Sequence, residues 1–287
     1  MIIKEIWHII EHPLKETALM APILFLAYLF MEWLEHTGSS KLINIVNRSK
    51  RFGPVLGAVS GLVPQCGFSG AIAGMYAAGT VTAGTLIAVI LATSDEMLPL
   101  MVLNLGEGKI DLLIILFVLA VKLLSGIVIG FAVDFIRHRR HADKEQHIHD
   151  FCEQEHCSCD NGVFRSAILH TLKVLGVVFT VSVVLHFAVE HIPEQALTSV
   201  LNFPVLSDIA AAILGLVPSC AISVMLTELY VEGALGMGPL LCGLLTNGGV
   251  GLLVLYRVNR NKKDNLIITI TVFATGLIIG SVAGLFF

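Results

Sequence analysis

Residues 61–66 read Gly-Leu-Val-Pro-Gln-Cys (GLVPQC), and residues 215–220 read Gly-Leu-Val-Pro-Ser-Cys (GLVPSC). Proline lacks a backbone donor and clashes with the preceding helical turn, so Pro64 and Pro218 each break a helix and free backbone carbonyls. At the offset of 154 residues that carries Gly61 onto Gly215, Tyr76 meets Tyr230, Gly79 meets Gly233, Gly84 meets Gly238 and Leu86 meets Leu240. Upstream and with small gaps, His12-Pro-Leu-Lys15 parallels His170-Thr-Leu-Lys173, and Glu35-His36 parallels Glu190-His191. The chain reads as an internal duplication split by a hydrophilic stretch.

Composition says where such a duplication resides. Of the 287 residues, 55% are hydrophobic and 14% charged, with a mean hydropathy of +0.84, which marks an integral membrane protein. Apolar runs of about the 20 residues needed to cross the hydrocarbon recur near 17–35, 110–135, 166–189 and 265–287. The predicted organisation is a first transmembrane repeat over 1–136, a cytoplasmic His/Cys-rich linker over 137–165 and a second transmembrane repeat over 166–287. Residues 1–16 mix charged and apolar side chains without a cleavage site, which suits an interfacial amphipathic helix rather than a signal peptide. With a net charge of −4 and no broad basic face, nucleic acid is excluded as a partner. The expected setting is multi-pass in a bacterial or archaeal plasma (inner) membrane, with the lipid bilayer and a transported species as partners and the oligomeric state open.

Charge asymmetry orients the repeats. The loop 37–53 carries Lys41, Arg48, Lys50 and Arg51 and is assigned to the cytoplasm, whereas its counterpart 191–206 has no Lys or Arg and is assigned outside. Equivalent loops on opposite faces imply an inverted repeat, an all-α fold of about five plus five transmembrane segments with Pro/Gly-broken helices at the midplane. Five segments in the first half require 54–106 to supply three pieces shorter than a full span; two broken helices there are the alternative.

Broken backbone persists at membrane depth only when buried in protein or lining a wet cavity, so Pro64 and Pro218 are expected to build two halves of one substrate site. Cys66 and Cys220 place a thiol at the same point of both copies, and Cys242 is a possible third thiol that aligns with Ala88. Thiolates suit soft cations and metalloids. Thr93-Ser-Asp-Glu96 interrupts an apolar run where the second copy has Thr246-Asn-Gly-Gly249. Ionisable groups within a span mark ion pathways, so Asp95 and Glu96 are candidates for proton coupling or for holding a hard ion, and Asn247 could join them in an oxygen-based site. The linker gathers His138, His141, His147, His149, Cys152, His156, Cys157 and Cys159, a compositional metal-binding tract without zinc-finger spacing.

The His-Pro-Leu-Lys opening, the first span ending Leu29-Phe-Met-Glu-Trp-Leu-Glu-His36, Arg51-Phe-Gly-Pro54, the paired GLVPQC and GLVPSC, and Ala92-Thr-Ser-Asp-Glu96 together resemble a ten-helix heavy-metal exporter family related to ArsP-type arsenical permeases. The resemblance covers both halves and implies arsenic or heavy-metal efflux; members are also labelled manganese transporters. ArsP-type permeases have a cysteine-richer first motif, whereas Gly67 and Phe68 here follow a single Cys66.

The expected function is secondary active export of a heavy metal or metalloid from the cytoplasm, coupled to protons through Asp95 or Glu96, with no resident cofactor and no enzymatic activity. No Walker-type phosphate loop is present. A manganese transporter using oxygen ligands is one alternative. A transmembrane thiol-disulfide oxidoreductase using Cys66 and Cys220 is another, weakened by the lack of any Cys-x-x-Cys.

Overall fold

The computed structural model describes residues 52–63, 67–94, 97–140 and 204–286 continuously, with scattered positions in 14–29 and 164–183. Among these the fold is entirely helical. We number the continuous helices α1 (Gly53–Gly61), α2 (Gly67–Ala77), α3 (Ala83–Ala92), α4 (Met97–Gly106), α5 (Leu112–Arg140), α6 (Pro204–Gly215), α7 (Cys220–Val231), α8 (Met237–Thr246), α9 (Gly251–Val258) and α10 (Lys262–Gly284). Among the described residues four stretches are long and apolar enough to cross a membrane: Ala83–Gly106, which joins α3 and α4, Leu112–Arg137, Met237–Val258, which joins α8 and α9, and Lys262–Gly284. The chain is a multi-pass membrane protein.

Glycines fix the directions of these helices, because each marks where two backbones meet. Gly57 of α1 backs onto Thr85 and Val89, and Gly61 onto Val89 and Ala92, so α1 runs parallel to α3. Gly126 of α5 meets the Ala88 carbonyl and Gly130 meets that of Gly84, so α5 runs antiparallel to α3. In the later chain Gly238 lies by Asp208 and Gly243 by Ala211, making α6 parallel to α8, while Gly276, Gly280 and Gly284 meet Thr246, Cys242 and Gly238 in descending order, making α10 antiparallel. The close approach is required by the sequence: a Cβ on Gly130 would lie 2.7 Å from the Gly84 carbonyl oxygen. Small residues let helices pack this tightly where no hydrophobic force drives them together.

Asp134 near the end of α5 accepts from the Gly84 backbone N–H (2.8 Å) and the Thr82 hydroxyl (2.6 Å), so α3 starts at the end of the bundle where α5 finishes. The same end holds Arg137, Arg257, Arg260, Lys262 and Lys263. We call it the basic end. Parallel to α3, α1 leaves this end. Yet α2 runs back toward it, since Ser69 meets Gly251 and Tyr76 reaches Asp264 at the start of α10. The two helices are the arms of a re-entrant hairpin with Leu62 and Val63 at its inner tip. At 1.5 Å per residue the arms rise only about 14 and 17 Å, roughly half of the ~30 Å hydrocarbon core. α6 and α7 form a second hairpin entering from the opposite end: α6 starts beside α8, and α7 returns within five residues of it.

Residues 54–106 thus hold four short helices. The expected three sub-span pieces resolve into two hairpin arms and one broken crossing. The arms splay: α1 packs on α3 and α5, α2 on α9 and α3, just as α6 packs on α8 and α10 while α7 packs on α4 and α8. The broken stretches Ala83–Gly106 and Met237–Val258 are largely buried inside the bundle, whereas α5 and α10 expose apolar residues such as Leu113, Leu124, Val128, Ile270 and Ile278. Polar interruptions are therefore inside and apolar surface outside, as a bilayer demands.

Candidate functional site

Both central crossings break at mid-depth. α3 ends at Ala92, and Thr93 and Ser94 leave the helix with 5% and 1% exposure. The Thr93 hydroxyl donates back to the Val89 carbonyl (2.7 Å), and the Ser94 hydroxyl to that of Ala92 (3.1 Å). The Ser94 backbone N–H donates to the Gly61 carbonyl (3.1 Å), tying the break to the tip of the first hairpin.

The second break repeats this with different chemistry. α8 ends at Thr246, whose hydroxyl donates to the Cys242 and Gly243 carbonyls (2.8 and 3.0 Å). Asn247, 2% exposed, accepts the Gly249 N–H on its side-chain oxygen (3.0 Å), closing an Asx turn. Gly249 takes φ +53°, a left-handed conformation that favours glycine. The second hairpin abuts this break through Gly215, against the Thr246 hydroxyl and the Gly243 carbonyl. The two breaks are neighbours, since Gly248 packs on Ile90 in the last turn of α3.

Eight helix ends therefore meet inside the bundle: the carboxy-termini of α1, α3, α6 and α8 and the amino-termini of α2, α4, α7 and α9. Helix ends carry roughly half a charge, negative at carboxy-termini and positive at amino-termini, so the centre offers fixed partial charges of both signs. Lys122 of α5 enters this region. It is 1% exposed, and its Nζ donates to the Leu244 carbonyl (2.6 Å). In an unbroken helix that carbonyl would accept from Gly248; the break frees it, and an ammonium lies at the negative pole of α8.

The structure distributes the sequence-derived candidates unevenly. Asn247 lies in the second break. Pro218, half-buried, lies two residues before Cys220, whose backbone opens α7. Cys242 points away from the breaks: its Sγ lies 3.6 Å from the Leu277 carbonyl and 3.8 Å from the Ser281 hydroxyl, pressed between α8 and α10. Helical periodicity puts it there, one turn before Thr246 on the face closed by Gly280. His138 lies in the last turns of α5. Pro64, Cys66, Asp95, Glu96, His141, His147, His149, Cys152, His156, Cys157 and Cys159 fall outside the described residues. Among the described residues no three His, Cys, Asp or Glu side chains gather as a metal centre.

Lys122 was absent from the sequence-derived set, although one lysine inside the apolar run 112–130 is a visible signal. Equally unforeseen is a polar cluster at the basic end: Arg137 pairs with Asp264 (Nη2 to Oδ1, 2.8 Å) and donates to the Tyr76 hydroxyl oxygen (2.9 Å), while that hydroxyl donates to Asp264 Oδ2 (2.5 Å).

Helix breaks at membrane depth persist only where they are buried in protein or line a cavity. Residues 14–199, more than half of the chain, match the family described as "Putative, 10TM heavy-metal exporter". The chain belongs to this family. The match takes in the first hairpin, α3–α5 and the linker, and stops before α6. No curated protein and no solved structure matches the chain.

Proposed function

We propose that this family member is an inverted-repeat secondary transporter that exports a heavy metal or metalloid from the cytoplasm, with its cargo site where the two helix breaks and two hairpin tips meet. The observation that carries this reading is the pair of neighbouring buried breaks at Thr93–Ser94 and Thr246–Asn247. Carriers bind cargo near the midplane at such interruptions, because freed carbonyls and helix poles are paired there with the cargo instead of water. Opposite running of α3 and α8, with one hairpin entering from each end, supports inversion of the second repeat. The basic end then faces the cytoplasm by the positive-inside rule. In this orientation the linker after α5 is cytoplasmic, where its His and Cys residues could collect cargo.

Two ligand sets compete. Cys66 and Cys220 would favour a thiophilic ion or metalloid. The donors described around the breaks are oxygens, the Thr93, Ser94 and Thr246 hydroxyls, Asn247 and main-chain carbonyls, and Cys242 is turned aside; this favours a harder cation such as manganese. Proton coupling through Asp95 or Glu96 fits either set.

Uptake into everted vesicles separates them. Arsenite, methylarsenite, zinc, cadmium and manganese are offered to the parent chain, to Cys66→Ser with Cys220→Ser, and to Asn247→Ala. Selective loss of a soft ion or metalloid in the double serine variant assigns the site to thiols. Manganese transport that survives the serines and falls in Asn247→Ala assigns it to oxygens. If the parent carries none of the five, the export reading is wrong.

A further inference from the structure

The Tyr76–Arg137–Asp264 cluster is placed where a passage from the basic end to the breaks would open. α2 and α9 lie side by side from mid-depth, where Gly251 meets Ser69 and Gly70 meets Val250 and Val254, out to the basic end. That seam is built of small and apolar contacts until its outer end, where Tyr76 of α2 is bound to Asp264 of α10 and both are bound to Arg137 of α5. Asn259, which follows α9, donates to Asp264 Oδ2 (3.2 Å) and to Asn265 (2.7 Å), so four helix ends share one network. Tyr76 and Arg137 come from the first half of the chain and Asp264 and Asn259 from the second. To uncover the breaks from this end, α2 must part from α9 and α10, and the network must come apart.

Among the described residues the other end of the bundle shows no matching Tyr–Arg–Asp network. Tyr230 corresponds to Tyr76, and Lys109-Ile-Asp111 before α5 corresponds to Lys262-Lys-Asp264 at the start of α10. Among the described residues the Tyr230 hydroxyl has no hydrogen-bond partner, Asp111 is exposed, and Lys109 pairs with Glu107 of its own loop (2.6 Å). One seam is fastened by a partly buried ion pair with its hydrogen bonds; among the described residues its counterpart has apolar packing, with the exposed Lys109 near Glu232 across it.

We infer that the Tyr76–Arg137–Asp264 network is the latch of the basic-end gate, holding that entrance shut in the conformation described and releasing when the carrier turns toward it. The inference rests on the transporter reading for its purpose, though not for its test. A partly exposed ion pair suits a latch. The Arg137 and Asp264 side chains keep 27% and 18% exposure, so water can rehydrate them on opening, and attraction and desolvation stay nearly balanced.

The test uses the full chain in vesicles of both orientations, with Ser94→Cys as a reporter at the buried break. Labelling by a membrane-impermeant maleimide is read on the peptide containing residue 94 by mass spectrometry. The parent latch should protect the reporter from the basic end. Arg137→Gln and Asp264→Asn should each speed labelling from that end several-fold, Arg137→Lys should speed it less, and the Arg137→Gln/Asp264→Asn pair should open no further than either single change. Tyr76→Phe, which removes one hydroxyl and leaves the packing, should give a smaller increase and serves if a charge variant does not fold. Unchanged labelling in monodisperse variants overturns the latch, as does additive opening in the pair. No cargo enters this measurement, so a protein that exports none of the tested ions can still show the latch, and an active exporter can still lack it.

Discussion

At the scale of single residues, Lys122 and Cys242 make opposite points about reading an apolar segment. Lys122 is an obvious anomaly in its run, but its partner, the Leu244 carbonyl, is on a helix more than a hundred residues downstream. Nothing local could have named it. Replacing Lys122 by Met should leave that carbonyl unpaired in the interior and cost about 1–3 kcal/mol, measured as a lower unfolding temperature in detergent; Lys122→Arg, which keeps the charge, should recover part of it. An undiminished unfolding temperature in the Met variant would mean that the ammonium does not cap α8. Cys242 entered the candidate set as a possible third thiol of the second half, aligned with Ala88. Among the described residues its thiol packs one turn before Thr246 against Gly280, Leu277 and Ser281 of α10. It should therefore resist thiol reagents in the folded protein, bound metal should not alter this, and it should react only on unfolding.

The helices show which signals travel through sequence and which do not. Pro218 and the polar residues Thr93, Ser94, Thr246 and Asn247 coincide with helix ends among the described residues, because a missing donor or a polar residue among apolar ones has few other meanings. Whether the chain continues or reverses after a break is not written at the break. It follows from which neighbour each arm finds: α1 beside α3, α2 beside α9. Those neighbours are chosen by glycine faces. Gly280 illustrates how closely, since a Cβ there would lie 2.5 Å from the Cys242 backbone nitrogen. Gly280→Ala should cost about 1–3 kcal/mol by forcing α8 and α10 apart, while Gly106→Ala, with nothing within 4 Å of the added methyl, should be neutral or stabilise by up to about 1 kcal/mol. Thermal unfolding of the two variants side by side checks the contrast.

For the whole molecule, the hairpin reading makes a statement about depth that a bundle of ten complete crossings would not. Cysteines placed at Gly79 and Arg260 should label from one face and those at Lys109 and Glu232 from the other. A cysteine at Val63 should resist a bulky impermeant reagent from both faces, because the tip stops inside. Ready labelling of position 63 from the face of Lys109 would show α1 and α2 to be full crossings.

The partnership of α2 with α9, and of α4 with α7, bears on how the chain is made. Ser69 waits for Gly251, some 180 residues later in synthesis. Until the ribosome has delivered the second half, the first hairpin can enter the bilayer without its final neighbour, and a chain stopped in the linker leaves two half-length helices uncovered. Such a fragment should be degraded faster than the full chain, and the two halves expressed together as separate chains should protect each other, which pulse-chase of each half alone and of the pair would check. The two halves thus complete each other's packing, α2 on α9 and α4 on α7.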